Sequence, residues 1–117
     1  MRELSVVIPV FNAAQWIEKT VEKTEYSIQK AKIKTYEIII VDDGSTDDIK
    51  QVVAELQKTH QSIKFYTHKN SGRFVTRKKG VDHARYDRIL FVDARTWIDE
   101  TSLTFLSKQI RKGYCSS

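Results

Sequence analysis

Four consecutive β-favouring apolar residues, Ile38, Ile39, Ile40 and Val41, constrain this chain more than any other stretch. A strand with one wet face alternates apolar with polar residues. An unbroken apolar run of strand length needs cover on both faces. That need points to a parallel sheet layered between helices. The run leads directly into Asp42, Asp43 and Gly44, then into Ser45, Thr46, Asp47 and Asp48, a composition that starts helices. Open α/β sheets bind their ligands at the carboxyl ends of the strands. Two acids at such an end suit a site that hydrogen-bonds a ligand or holds a metal. On this segment alone they suit a turn and a helix cap equally well.

The remaining chain alternates in step with that demand. Residues 4–10, Leu-Ser-Val-Val-Ile-Pro-Val, read as a first strand. Its pairing is expected to stop at Pro9, which has no N–H to donate. Asn12 is expected to cap the next helix with Gln15 as its capping-box partner. Ile17, Val21, Thr24 and Ile28 then form one apolar stripe at helical spacing. Residues 37–41 make the second strand. Ser45 and Asp48 read as a second capping box, ahead of the stripe Ile49, Val52, Val53 and Leu56. Asp47 and Asp48 fall in the first turn on this reading, where carboxylates complement the helix dipole.

Residues 63–67 form a third strand, and a helix from about Phe74 follows, with a thin apolar face and a basic polar one. Residues 88–92 form a fourth strand. A last helix is expected near Asp99, carrying Leu103, Leu106 and Ile110. Strands separated by helices imply right-handed crossovers. The expected fold is therefore α/β, a Rossmann-like, mostly parallel open sheet with alternating helices.

Size and composition bound the function. The 117 residues make a single domain, with 40% hydrophobic and 30% charged residues, as in ordinary soluble proteins. No apolar run approaches the ~20 residues that cross a bilayer, and residues 4–10 lack the cleavage site of a signal peptide. The one cysteine, Cys115, has no internal partner for a disulfide, so the expected location is the cytoplasm. The net charge of +5 favours a phosphate-bearing ligand or an anionic membrane surface and specifies neither.

Three strand ends carry site-forming residues: Pro9, Val10, Phe11 and Asn12 at the first, Asp42 to Gly44 at the second, and Asp93, Ala94 and Arg95 at the fourth. In a parallel sheet these ends share one edge. A carboxylate there can accept a hydrogen bond from a base or ribose, or ligate Mg²⁺ or Mn²⁺. Arg73, Arg77, Lys78 and Lys79, between Gly72 and Gly80, add the positive charge that a diphosphate needs. A solvated helix face explains the same charges equally well. Trp16 and Trp97 read as packing residues before sugar platforms, and His60, His68 and His83 are too scattered in sequence to suggest a metal site.

The ordered series Pro9-Val-Phe-Asn12, Val41-Asp-Asp-Gly-Ser-Thr-Asp47, Asn70 and Gly72 with Arg77 and Gly80, and Phe91-Val-Asp-Ala-Arg95 resembles the family 2 glycosyltransferases of the GT-A fold. The resemblance spans residues 4 to about 106 and implies the nucleotide-binding half of such an enzyme, truncated relative to the whole. It implies a nucleotide diphosphate sugar as donor, with UDP-sugar favoured. Asp43 would accept a hydrogen bond from the base, in a pocket helped by Pro9, Val10 and Phe11. Arg77 would lie near the base or diphosphate. Asp93, followed by Ala94 and Arg95, would open the Asp-x-Asp motif, contacting the ribose and a metal-bound diphosphate, and would be the catalytic and metal-binding carboxylate. Asp42 is left to support the turn.

Arg95 stands where the motif has its second acid, and Lys78 where the family has asparagine. An arginine cannot ligate a cation, though it can neutralise a diphosphate itself, so a divalent metal cofactor (Mn²⁺ or Mg²⁺) is in question. Asp99 is a weaker substitute for the missing acid. Family members also carry an acceptor-binding half with a carboxylate base, which these residues lack. The implied activity is inverting sugar transfer to an unidentified acceptor. The alternative is an inactive relative or fragment that only binds nucleotide. The implied setting leaves room for peripheral membrane association of the full protein, and no nucleic-acid partner is expected. A phosphoreceiver domain fits less well, because its acid pair follows the first strand.

Overall fold

A computed structural model describes residues 3–93 of the chain. The expected last helix, with Leu103, Leu106 and Ile110, lies outside the described residues, as do Ala94, Arg95, Trp97, Asp99 and Cys115. The elements are β1 (Glu3–Val10), α1 (Ala14–Lys30), β2 (Thr35–Asp43), α2 (Ile49–Thr59), β3 (Ile63–His68), α3 (Arg73–His83) and β4 (Ile89–Phe91). The four strands pair in the order β3-β2-β1-β4, each pair parallel. The chain therefore builds outward from β1 through β3, then returns to the other side of β1. That reversal is a topological switch point, where open sheets leave a crevice beyond the strand ends.

Side chains of a strand alternate between faces, and both faces of the central strands are covered. Leu4, Val6 and Ile8 of β1 and Ile38 and Ile40 of β2 join Ile17, Val21 and Ile28 of α1 and Ile49, Val53 and Leu56 of α2 in one buried core. Val7 and Ile39 take the opposite face, where α3 packs on β1 and β2. Ile38, Ile39, Ile40 and Val41 are all 0% exposed, which is why that run contains no polar residue. The α3 helix has few apolar residues to bury and seats itself by close approach instead. A Cβ on Gly80 would stand 2.3 Å from a Val7 methyl, so only glycine permits this contact at the present depth.

The expected helix stripes are borne out, with Ile17, Val21, Thr24 and Ile28 buried on α1 and Ile49, Val53 and Leu56 on α2. Val52 is half-buried. The expected caps are not. Asn12 has a left-handed φ of 51° and makes no cap for α1. Its Oδ1 accepts from the Thr46 N–H at 2.8 Å, and its own N–H donates to Ser45 Oγ at 2.9 Å. Asp47 accepts from the Ala14 N–H at 2.9 Å and the Ile49 N–H at 3.3 Å, so one carboxylate serves the starts of both helices. The Ser45–Asp48 capping box is absent, and α2 begins after Asp47 and Asp48 rather than containing them. Because β1 and β2 are neighbours, the loops after them lie side by side and exchange caps, which local spacing cannot reveal.

Pro9 corrects the first strand as well. Pairing with β2 continues past it to Val10 opposite Asp42. Pairing with β4 ends at Val7 opposite Phe91, with the Val92 N–H donating to the Val7 carbonyl. Backbone groups of residues two apart point the same way in a strand, so the missing N–H of Pro9 faces the β4 side, where the ladder stops.

Candidate functional site at the carboxyl edge of the sheet

Adjacent residues of a strand face opposite ways, and this separates the two acids at the end of β2. Asp42 lies on the α1/α2 face. Its Oδ1 accepts from the Ser45 N–H at 3.0 Å and from the Ser45 hydroxyl, and its Oδ2 accepts from Thr67 Oγ1 at 3.1 Å. With 1% exposure and every donor internal, it builds the turn, as the sequence suggests.

Asp43 lies on the α3 face and is 8% exposed. Its Oδ1 accepts from the Ser71 N–H at 2.7 Å and faces His68 Nε2 at 3.2 Å. Its Oδ2 accepts from the Gly72 N–H at 3.2 Å. These N–H groups belong to the turn just before α3, which no intrahelical carbonyl can satisfy. Asn70 Nδ2 adds a bond to the Asp43 carbonyl at 3.1 Å. The approach is close enough that a Cβ on Gly44 would meet the Asn70 nitrogen at 2.6 Å, and Gly44 has a φ of +75°. Each carboxylate oxygen can take about two donors. Oδ1 has the Ser71 N–H and the His68 ring beside it, while Oδ2 has one protein donor and acceptor capacity left.

The other sequence candidates share this edge. Pro9 and Val10 end β1 opposite Val41 and Asp42, and Phe11 follows at 46% exposure. Asp93 is exposed two residues beyond the end of β4. Arg77, also exposed, stands over the Phe91 ring at 5.5 Å from its centre, a cation–π arrangement that fixes the side chain beside the end of β4. These residues share the carboxyl edge of the sheet, where the strand order reverses. Ala94 and Arg95 lie outside the described residues.

The basic stretch divides by environment. Lys78 pairs with Asp82 at 3.7 Å on the exposed side of α3, and Lys79 Nζ donates to the Thr67 carbonyl at 3.3 Å. Arg73 and Arg77 extend from the start of the helix, which also presents the positive end of its dipole. Among the described residues no three His, Cys, Asp or Glu side chains gather as a metal cage. Among the described residues the end of β4 contributes one carboxylate, Asp93, to this edge.

Sequence spacing missed Thr67, His68 and Thr76. The signal lay in the pairing register, which sets Thr67 opposite Asp42 and His68 opposite Asp43. A cleft of about 630 Å³ opens at the opposite, amino edge of the sheet, beside Glu25, Lys34, Tyr36, His60 and Ser62. Glu25 there accepts from Tyr36 Oη at 3.1 Å and meets His60 Nδ1 at 2.5 Å. Burial, then the Glu25 charge, pushes the Tyr36 hydroxyl above its ordinary value. These groups satisfy one another and tie α1 to the sheet, so the cleft is a wide surface depression away from the switch point.

Comparison with known proteins agrees with this geometry. The family profile described as glycosyl transferase family 2 matches residues 5–116. A GalNAc(5)-diNAcBac-PP-undecaprenol beta-1,3-glucosyltransferase of Campylobacter jejuni is 34% identical over 116 residues, covering 97% of this chain and 36% of that protein. TarS 1-349 of S. aureus, crystallised in complex with UDP, superposes with a TM-score of 0.72 at 26% identity, over 96% of this chain and 32% of that one. The mannosyltransferase PcManGT of Pyrobaculum calidifontis, solved with GDP-Man and Mn²⁺, shares the fold with a TM-score of 0.73 at 21% identity, over 92% of this chain and 31% of that one. The chain thus spans about a third of the length of each of these three relatives.

Proposed function

The chain belongs to glycosyl transferase family 2, and on that premise we propose that its 117 residues form the donor-binding half of an inverting sugar transferase that takes a nucleoside diphosphate sugar. The observation that carries this reading is the Asp43 carboxylate. It is buried at a strand end, oriented by backbone N–H groups, and retains an acceptor position on Oδ2. A carboxylate acceptor suits the ring N–H of uracil or guanine, whereas cytosine and adenine offer it only an exocyclic amino group beside a ring nitrogen that is an acceptor. We favour uridine, since the relative crystallised with UDP matches over nearly the whole chain.

Pro9, Val10 and Phe11 are assigned to the wall of the base pocket. Arg77, held against Phe91, is assigned to the diphosphate. Asp93, with Ala94 and Arg95, is assigned to the ribose and diphosphate. In the reaction, the acceptor hydroxyl oxygen bonds to the anomeric carbon as the bond from that carbon to the diphosphate breaks. The hydroxyl proton goes to a carboxylate base, which we place outside the donor-binding residues. The leaving diphosphate gains negative charge, and cationic side chains already in position lower the cost of that change. Asp93 would be the residue to hold a divalent ion, which would supply the same neutralisation. The Asp-Ala-Arg sequence in place of Asp-x-Asp favours a second reading, in which the chain binds nucleotide without transferring sugar.

A lipid-linked acceptor, of the kind named for the Campylobacter glucosyltransferase, would bring the full protein to the cytoplasmic side of a membrane. No helix among the described residues is long and apolar enough to cross one. Calorimetric titration with UDP, GDP, ADP and CDP, with and without Mn²⁺, tests the donor site. Binding of UDP that Asp43→Ala weakens at least tenfold is the expected result. A folded protein that binds none of these nucleotides sinks the reading, and binding indifferent to Mn²⁺ favours Arg95 as the charge that replaces a metal.

A further inference from the structure

His68 closes β3 directly opposite Asp43, and its ring is only 14% exposed. Its Nε2 stands 3.2 Å from Asp43 Oδ1 and 3.2 Å from Thr76 Oγ1. The Thr76 hydroxyl proton is already committed to the Gly72 carbonyl at 2.8 Å. Both neighbours of Nε2 are therefore acceptors. A bare nitrogen lone pair at that place would face a carboxylate oxygen and a hydroxyl oxygen with no proton between them. The geometry fixes the tautomer, with the proton on Nε2.

From this arrangement we infer that His68 is a positioning residue for the base-reading carboxylate. The inference rests on the donor-site reading above and extends it to the residue that orients Asp43. A carboxylate torsion is soft and nearly two-fold, so burial alone does not decide which oxygen meets a ligand. The donors on Asp43 decide it. Ser71 N–H falls on Oδ1, which also lies 3.2 Å from the Nε2 edge of the His68 ring, and Gly72 N–H alone falls on Oδ2. The two backbone donors sit on a short loop that itself depends on Asp43 for order. His68 is carried by a paired strand and does not. Its second contact, to Thr76, ties the same ring to the first turn of α3, the helix that presents Arg77. Orientation fixed before binding removes an entropic cost from the bound state.

Two variants separate the donor role from mere packing: His68→Phe keeps a ring without a donor, and His68→Gln keeps an N–H donor without the ring. Calorimetric titration with UDP and with inorganic pyrophosphate reads their effect, with Asp43→Ala as reference and thermal unfolding as the check on folding. His68→Phe is expected to weaken UDP about tenfold, the lower end for losing a polar partner of a charged group, and to leave pyrophosphate unchanged. His68→Gln is expected to stay within about threefold of the parent for both ligands, as a retained donor should. Wild-type UDP affinity in His68→Phe, alongside a loss in Asp43→Ala, overturns the inference and leaves the donor site standing. Equal weakening of UDP and pyrophosphate also overturns it, because the effect would then not pass through the base. No loss of UDP in Asp43→Ala removes the donor-site reading and the inference together. Should His68→Phe not fold, imidazole ¹⁵N spectra of the parent protein at alkaline pH decide the matter: a protonated Nε2 supports the assignment, and a protonated Nδ1 overturns it.

Discussion

Two carboxylates of the same strand, Glu37 and Asp43, lie on the same face of the sheet beneath the two ends of α3, and they are used differently. Six residues of strand put them about 20 Å apart, roughly the span of the helix with its flanking turns. Asp43 receives the Ser71 and Gly72 N–H groups before the helix begins. Glu37 receives the Arg85 N–H after it ends, at 2.5 Å, with the Ser5 hydroxyl on the same oxygen at 2.7 Å and Lys64 Nζ on the other at 2.7 Å. Both acids are staples for a helix that has little apolar surface to bury. Glu37 is surrounded by donors from three segments of the chain and sits at the amino edge, far from the switch point. Asp43 has an oxygen with room for one more donor and sits beside the crevice. Burial and satisfaction alone do not mark a functional acid. A remaining acceptor at a ligand-binding edge does.

The sharpest way to break this comparison is to remove each acid. Glu37→Ala leaves a lysine, a hydroxyl and a backbone N–H without their acceptor. The loss is expected to be about 3 kcal/mol of unfolding free energy, the lower end for a buried pair because Lys64 is half in water. UDP affinity should remain within about threefold, because no ligand contact is touched. Urea unfolding and calorimetric titration on the same sample check both halves. An E37A protein that folds but no longer binds UDP would erase the division of labour. Gly80→Ala attacks the helix between the staples. Its new methyl overlaps Val7, and overpacking costs about 1–3 kcal/mol. Asp43→Ala should cost less, about 1–2 kcal/mol, since the freed Ser71 and Gly72 N–H groups can reach water. Its UDP affinity should nonetheless fall at least tenfold. Ranking the three unfolding midpoints against the three affinities shows whether stability and binding are carried by different acids.

What the sequence disclosed follows the range over which each signal acts. The run from Ile38 to Val41 announced a strand covered on both faces because burial on each side acts on every residue of the strand itself. The stripes of α1 and α2 were legible for the same reason, and so was the role of Asp42, three residues from its Ser45 partner. Caps were not legible. Asn12 has the composition of a local cap yet serves the neighbouring loop, and Asp47 serves both loops, because β1 and β2 are neighbours, a fact with no local trace. His68 stayed hidden for a related reason: its importance comes from standing opposite Asp43, twenty-five positions earlier. Glu37 was read only as the start of a strand. Its face and partners depend on a register that pairs it with Ser5.

The smallest expected effect is the acid dependence of the structural staple, and its sign follows from the site. Burial pushes the Glu37 carboxyl up, but the hydrogen bonds from Lys64, the Arg85 N–H and Ser5, with the Lys64 charge, outweigh burial and hold it below its ordinary value of 4.5. In the unfolded chain the group returns to that ordinary value. As pH falls, the unfolded chain therefore takes up the proton first, and unfolding gains free energy relative to the folded state. The stabilisation from Glu37 is present above the ordinary value and is lost as pH falls through the lowered folded one. Glu37→Gln has no such proton to take up. Its unfolding free energy should start lower at neutral pH and decline less steeply between about pH 5 and about pH 3. Urea titrations of the two proteins across that window measure the two slopes. Parallel slopes would mean that the network around Glu37 does not favour its charged form, and the contrast with Asp43 would then rest on position alone.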